Sequence, residues 1–343
     1  MKKIILGIVL FFSLLTLWGC QQEQAEEEVT EPSAEESSDN VASESEQDTT
    51  TEGETETASE EQAPFFWRVD HEGNTVYLLG SIHIGNEDMY PMAEEVEEAY
   101  ASADQLVVEA NILEADESTM QDAMMANSLY TDGSVLSDHI SDEAYQNLTD
   151  VLNSYSLEGM TMEQLNIFKP WFVEQLLTEL AFMELDTVTT EYGVDYHFLE
   201  RAVEDNKPIL ELEGIEEQFN FMIDIPEDIQ VEGLEQTVNN WEEAAGPAAF
   251  NSLIDAWKTG SEQQLEAAAS SSDDIVSNYD TYQAQLLEDR NVNMVEKIER
   301  YLTADSEQTY FVIVGALHYI GDAGIDNLLD QDYDIQSYAE ILE

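Results

Sequence analysis

Apolar runs at residues 65–69 and 76–79 flank Glu72-Gly73-Asn74, a pattern that predicts a β-hairpin. Pro91 followed by AEEVEEAY predicts a helix starting at the proline, with acids in its first turns. DQLVVEANI reads as a short buried strand with Glu109 at its carboxyl end. From Glu117 to Leu185 the spacing of apolar positions is mostly helical, and Pro170 breaks or starts a helix. The segment YGVDYHFLERAVEDNKPILELEG reads as loop, helix and a strand over Pro208–Leu212, with Glu213 just past it. Residues 215–305 are again helical, before a last strand in TYFVIVGAL, a helix at GIDNLLDQ and an edge-like YDIQSYA. Strands alternate with helices at both ends of the chain, while its middle is helical. The expected fold is therefore α/β: a central sheet carrying a large helical insertion or cap at about residues 115–305.

The first 62 residues do not fit that pattern. Residues 1–20 carry Lys2 and Lys3 and then an apolar stretch from Ile4 to Trp18, which reads as a secretory signal. At about 15 residues, the stretch is short for a bilayer-spanning helix. It ends in LWGC, which resembles a lipobox, so Cys20 is the expected lipidation site and the membrane anchor. Cys20 is the single cysteine, so no intrachain disulfide forms and cysteine-based zinc sites are excluded. Residues 21–62 hold 16 acids and no Lys or Arg, and read as a disordered, self-repelling tether. The folded domain is expected over 63–343.

Removing the leader and tether changes the charge less than expected. Of 76 acids and 10 bases, 60 acids and eight bases remain in the domain. Nucleic acid and anionic lipid are not the expected partners, because phosphate contacts need Lys and Arg. Such acidity suits high salt or high pH.

Candidate chemistry is concentrated in one repeated frame. YLLGSIHIG (77–85) and FVIVGALHYIG (311–321) each run from an apolar strand to a glycine and, three residues on, a histidine: Gly80 with His83, and Gly315 with His318. The chain has only five histidines. In α/β sheets sites form beyond the carboxyl ends of strands, and His83, Glu109, Glu213 and His318 all fall there. The glycines would let the chain turn sharply or let a ligand or backbone approach closely. Two histidines and a carboxylate suit a divalent metal with open positions for water. The same set also suits a metal-free site in which a histidine acts as general base. His71, beside the turn, and His139 read as surface residues.

FFWRV…NTVYLLGSIH, LVVEAN, KPW (169–171), YGVDYHFLERA, KPILELEGIEEQ, EDRNVNMVEKI and FVIVGALHYIGDAGI together resemble the TraB/GumN family over roughly residues 64–340. The family includes bacterial pheromone-shutdown proteins and the animal Tiki proteases. The resemblance implies a fold similar to the erythromycin esterases and ChaN-like lipoproteins, and metal-dependent peptide hydrolysis. By position it implies that His83, Glu109 and His318 are catalytic and bind a divalent ion such as Mn, Co or Zn. Arg290 would then bind a substrate carboxylate or an oxyanion, and Asn291, Asp195 and Glu213 would contact substrate. The expected function is that of a hydrolase of peptides or proteins, lipid-anchored on the extracytoplasmic face of the cell membrane. The alternatives are a non-catalytic peptide-binding lipoprotein and a metal-independent, esterase-like hydrolase. There is no HExxH helix, so a protease here is not of the zincin type.

With 60 acids against eight bases, like-charge repulsion dominates at low ionic strength. The thermal midpoint is expected to rise between about 0.05 and 1 M NaCl; a flat or falling midpoint would mean that the acids are compensated locally.

Overall fold

The computed structural model describes residues 64–155, 161–182, 185, 188–241, 247–269 and 277–343. The expected signal segment, the tether, Cys20 and Ala63 lie outside the described residues.

The hairpin forms as the pattern requires. Strands β1 (Phe66–His71) and β2 (Asn74–Ser81) pair antiparallel from Phe66 opposite Leu79 to His71 opposite Asn74. The two-residue turn between them places Glu72 (φ 48°) and Gly73 (φ 89°) in the left-handed region, as a type I′ turn demands. The remaining strands are β3 (Gln105–Val108), β4 (Ile209–Glu211), β5 (Thr309–Gly315) and β6 (Ile335–Ser337). They make one six-stranded sheet in the order β4-β3-β5-β2-β1-β6. β4, β3, β5 and β2 are mutually parallel, and β1 runs antiparallel to both β2 and β6. The fold is mixed α/β.

Alternate side chains along each strand enter different cores, as the two-residue period requires. Leu79, Leu106, Val108, Phe311 and Ile313 join Val96, Tyr100, Phe198 and Ala202 on one face. Leu78, Val107, Val312 and Val314 join Met294, Ile298 and Leu302 on the other. Burial on both faces explains why the parallel strands read as nearly continuous apolar runs. The first helix of the sheet layer spans Glu94–Ser102, so it begins three residues after Pro91 and not at it. In the middle of the chain, helix Glu227–Asn239 packs against Asp142–Ser154, Pro170–Phe182 and the 25-residue helix Asn278–Leu302. No helix among the described residues is long and apolar enough to cross a membrane.

The topology decides where the site lies. β5 is the last long strand in sequence, yet it inserts between β2 and β3. Its register sets Gly80 beside Val314 and Ser81 beside Gly315. Neither Gly80 nor Gly315 has the positive φ of a sharp left-handed turn; close packing requires Gly80, whereas a Cβ on Gly315 would meet Glu109 Oε1 at an ordinary 3.4 Å. A Cβ on Gly80 would lie 2.6 Å from Phe65 Cβ and 3.2 Å from Ala316. Gly80→Ala is expected to cost about 1–3 kcal/mol in urea unfolding through overpacking. A cost under about 0.5 kcal/mol would show that the Phe65 segment shifts freely.

Candidate functional site

The adjacent carboxyl ends of β2, β5, β3 and β4 bring together His83, His318, Glu109 and Glu213. The two histidines line one pocket, walled by Leu253, Trp257 and Leu265. Trp257 Nε1 donates to the Gly80 carbonyl at 3.0 Å, which satisfies a backbone acceptor at the strand end.

His83 is positioned by the segment that begins at Tyr192. A Cβ on Gly193 would lie 2.4 Å from the His83 carbonyl oxygen, so only glycine permits this approach. Val194 N donates to the Ile82 carbonyl at 2.9 Å, and Gly85 and Thr189 exchange backbone hydrogen bonds. Helix Val194–Asp205 starts there and places Asp195 in its first turn, where the helix dipole favours a carboxylate. Asp195 Oδ1 lies 3.0 Å from His83 Nδ1. Burial alone would lower the pKa of His83, but Asp195, with a smaller contribution from Glu109, raises it to about 9.

His318 lies on the short 3-10 turn after β5 and is fully buried. Asn291, on the long helix, holds it. The Asn291 amide nitrogen donates to the carbonyls of His318 (3.2 Å) and Ala323 (2.7 Å). Its Oδ1 is therefore the atom facing His318 Nδ1, and that nitrogen carries the hydrogen. Burial first, then the charges of Arg290 and His83, hold the His318 pKa well below the ordinary value. The contact of 3.9 Å between His318 Nε2 and Glu109 Oε1 is thus between a neutral imidazole and a carboxylate, not an ion pair.

Glu109 is 6% exposed and takes several donors. Gly315 N–H donates to Oε1 at 2.7 Å, and Arg290 Nη2 and Gln218 Nε2 each donate to Oε2 at 2.9 Å. Arg290 also holds Glu213 through Nε (2.7 Å) and Nη2 (2.8 Å). Burial pushes the Glu213 carboxyl upward against the pull of Arg290. Burial also opposes charge on Arg290, but Glu213 and Glu109 outweigh it and keep the guanidinium protonated.

The expected site residues thus meet, but several have tasks other than those expected. Asp195 and Asn291, expected at the substrate, each face the Nδ1 of a histidine. Arg290, expected to bind substrate or an oxyanion, is 3% exposed, and its Nε and Nη2 are engaged by Glu109 and Glu213. Glu213, expected at the substrate, is bound to that arginine. The resemblance assigned these positions to a site; in the structure each is paired with another side chain of the site. Trp257 and Gln218 were missed altogether. Gln218 ends the KPILELEGIEEQ segment, five residues beyond Glu213 and on helix Ile215–Ile223, whereas nothing in the sequence around Trp257 marks it.

The family model described as TraB/PrgY/gumN matches residues 65–336. The chain belongs to the TraB/PrgY/gumN family. The uncharacterized protein YbaP of Escherichia coli strain K12 is 28% identical over 259 residues, covering 74% of this chain and 87% of that protein. YbaP of Shigella flexneri matches to the same extent. No solved structure matches, so the likeness to erythromycin esterases and ChaN-like proteins rests on family resemblance alone. The matched span reaches from the hairpin to β6, and so includes both histidine frames and the ion cluster of this TraB/PrgY/gumN protein.

Each histidine has its Nδ1 turned to a protein oxygen. His83 Nε2 and His318 Nε2 are buried without a hydrogen-bond partner, and the His83 Nδ1–Asp195 Oδ1 contact is an ion pair without hydrogen-bond geometry. Metal-ligating histidines show this arrangement, the outer partner fixing the ring so that the other nitrogen faces the ligand. Among the described residues no three His, Cys, Asp or Glu side chains form a group able to hold a metal. The donor chemistry nevertheless fits a divalent ion in part: two imidazole nitrogens, and the second lone pair of Glu109 Oε1.

The two histidines give opposite pH dependences. His83 titrates near 6.5 when unfolded and near 9 when folded. Its contribution to stability is full below about pH 6.5 and lost as pH rises through about 9. The depressed pKa of His318 instead removes stability as pH falls below about 6.5. In chelator, the stability gap between wild type and His83→Gln is expected to shrink from pH 6.5 to pH 9. A gap that stays constant over that range would show that Asp195 does not hold a proton on His83.

Proposed function

We propose that the chain is a hydrolase of peptides or proteins, anchored through Cys20 on the extracytoplasmic face of the membrane. His83, His318 and Glu109 hold a divalent ion such as Mn, Co or Zn. The observation that carries this reading is the pair of buried, unpartnered Nε2 atoms in one pocket. A divalent ion bound there supplies Lewis acidity and lowers the pKa of water. Asp195 and Asn291 fix the two rings, Arg290 and Gln218 fix Glu109, and Leu253, Trp257 and Leu265 limit the access of bulk water. Because His83 must give up its proton to bind a metal, affinity rises with pH.

A second reading, peptide capture without hydrolysis, is favoured by one observation. Both Glu109 oxygens already accept protein hydrogen bonds, which weakens it as a third ligand. A metal-independent, esterase-like hydrolase would use the same histidines as acid and base.

Elemental analysis of protein purified without chelator, joined to a peptide-library cleavage assay, separates the three. The expected result is about one divalent ion per chain and cleavage that His83→Ala or His318→Ala each abolishes. The double variant should be little worse than either single one, since the pair acts as a unit. Cleavage without bound metal would favour the esterase-like reading. Peptide binding without cleavage would favour capture, and single variants with full activity would remove the histidines from the chemistry.

A further inference from the structure

A second pocket lies beyond the Arg290 ion cluster, between helices Pro170–Phe182, Ile215–Ile223 and Asn278–Leu302. It encloses a cavity of about 60 Å³ within about 560 Å³ of empty space that includes its open mouth. It shares no lining residue with the histidine pocket. The aromatic rings of Trp171, Phe221 and Tyr279 form much of its wall.

Its polar groups are Glu174, Gln175, Gln218, Tyr279, Gln283 and Arg290. Glu174 is 7% exposed and Gln175 is 6% exposed, and both line the pocket. Thr237 Oγ1 (3.1 Å) and Tyr279 Oη (3.4 Å) both donate to Glu174 Oε1. Glu174 Oε2 has no hydrogen bond among the described residues. Gln175 Oε1 is buried without a partner. A buried acceptor without a donor is costly, which applies to Gln175 Oε1. On the donor side, Gln218 Nε2 is spent on Glu109 and Glu213, and Arg290 turns Nε and Nη2 to the same carboxylates. The Arg290 guanidinium faces the carboxyl groups of Glu109 and Glu213, and its Cζ lies 5.3 Å from the Phe221 ring centroid. Burial pushes the Glu174 carboxyl up to about 7, the cost of a carboxylate held without a cation.

We propose that this pocket binds an ammonium group on an apolar body, its charge on Glu174, its donors on Glu174 Oε2 and Gln175 Oε1, and its stem among the rings. Aromatic faces attract such cations, and a chain of net charge −66 draws them in. A free organic amine and a lysine side chain of a peptide share this chemistry. The site is independent of the hydrolase reading, and its test needs no activity.

Calorimetric titration of the full chain at pH 8 with phenethylamine, 2-phenylethanol and 3-phenylpropionate tests it. Saturable binding of the amine is expected, at least about tenfold tighter than the alcohol, with no binding of the carboxylate. Glu174→Gln, which keeps shape and one acceptor, should lower amine affinity about tenfold and leave the alcohol nearly unchanged. Leu286→Trp, which enlarges a side chain of the pocket wall, should abolish binding of both, so the test survives if the first variant fails to fold. Nα-acetyl-lysine N-methylamide binding more tightly than hexylamine assigns the pocket to peptide; the reverse assigns it to free amines. Absent amine binding, preference for the carboxylate, or an amine affinity unchanged by Glu174→Gln and Leu286→Trp would overturn the proposal.

Discussion

The parallel pairing of β5 between β2 and β3 is the constraint on which the rest of the site depends. It sets Ser81 beside Gly315 and so carries two histidines 235 positions apart in the chain to one sheet edge. Parallel neighbours share a carboxyl edge, so every residue just past a strand end faces the same side. The inserted strand is buried on both faces, from Phe311 to Val314, and hydrophobic burial fixes the register that the site uses.

A buried ion cluster sits against that edge. Arg290 joins Glu109 and Glu213, which come from the ends of β3 and β4, with Gln218 bridging the two carboxylates. Charges this deep are costly unless each is paired and hydrogen-bonded, and here the pairing is nearly complete. The cluster tethers the long helix to two strand ends, and its Glu109 oxygen meets the Gly315 N–H. The histidine pocket and the aromatic pocket lie at different parts of this unit, one lined by Gly315 and His318, the other by Arg290 and Gln218.

Within the histidine pocket, residues contribute by holding others. Asn291 Oδ1 meets His318 Nδ1, and Asp195 Oδ1 lies 3.0 Å from His83 Nδ1 as an ion-pair contact, so each Nε2 is left without a hydrogen-bond partner. Gly193 and Trp257 act one step further out, the first by letting the Asp195 helix approach His83 and the second by capping the Gly80 carbonyl. The site is thus assembled from at least four separate stretches of chain.

Local chemistry was legible in the sequence. Apolar runs specify strands, Glu72-Gly73 specifies the turn, and the repeated Gly-x-x-His frames mark where the candidate site lies, because period and turn preference are properties of neighbouring residues. The acidity of the domain and the single cysteine were equally plain. The roles of Arg290, Glu213, Asp195 and Asn291 were not. Whether an arginine meets substrate or two buried carboxylates depends on which strand ends lie beside its helix, and that is settled by packing across the fold. Trp257 and the pocket at Glu174 are of the same kind: their partners lie far away in sequence, and only burial, which removes water as the alternative partner, gives those contacts their strength.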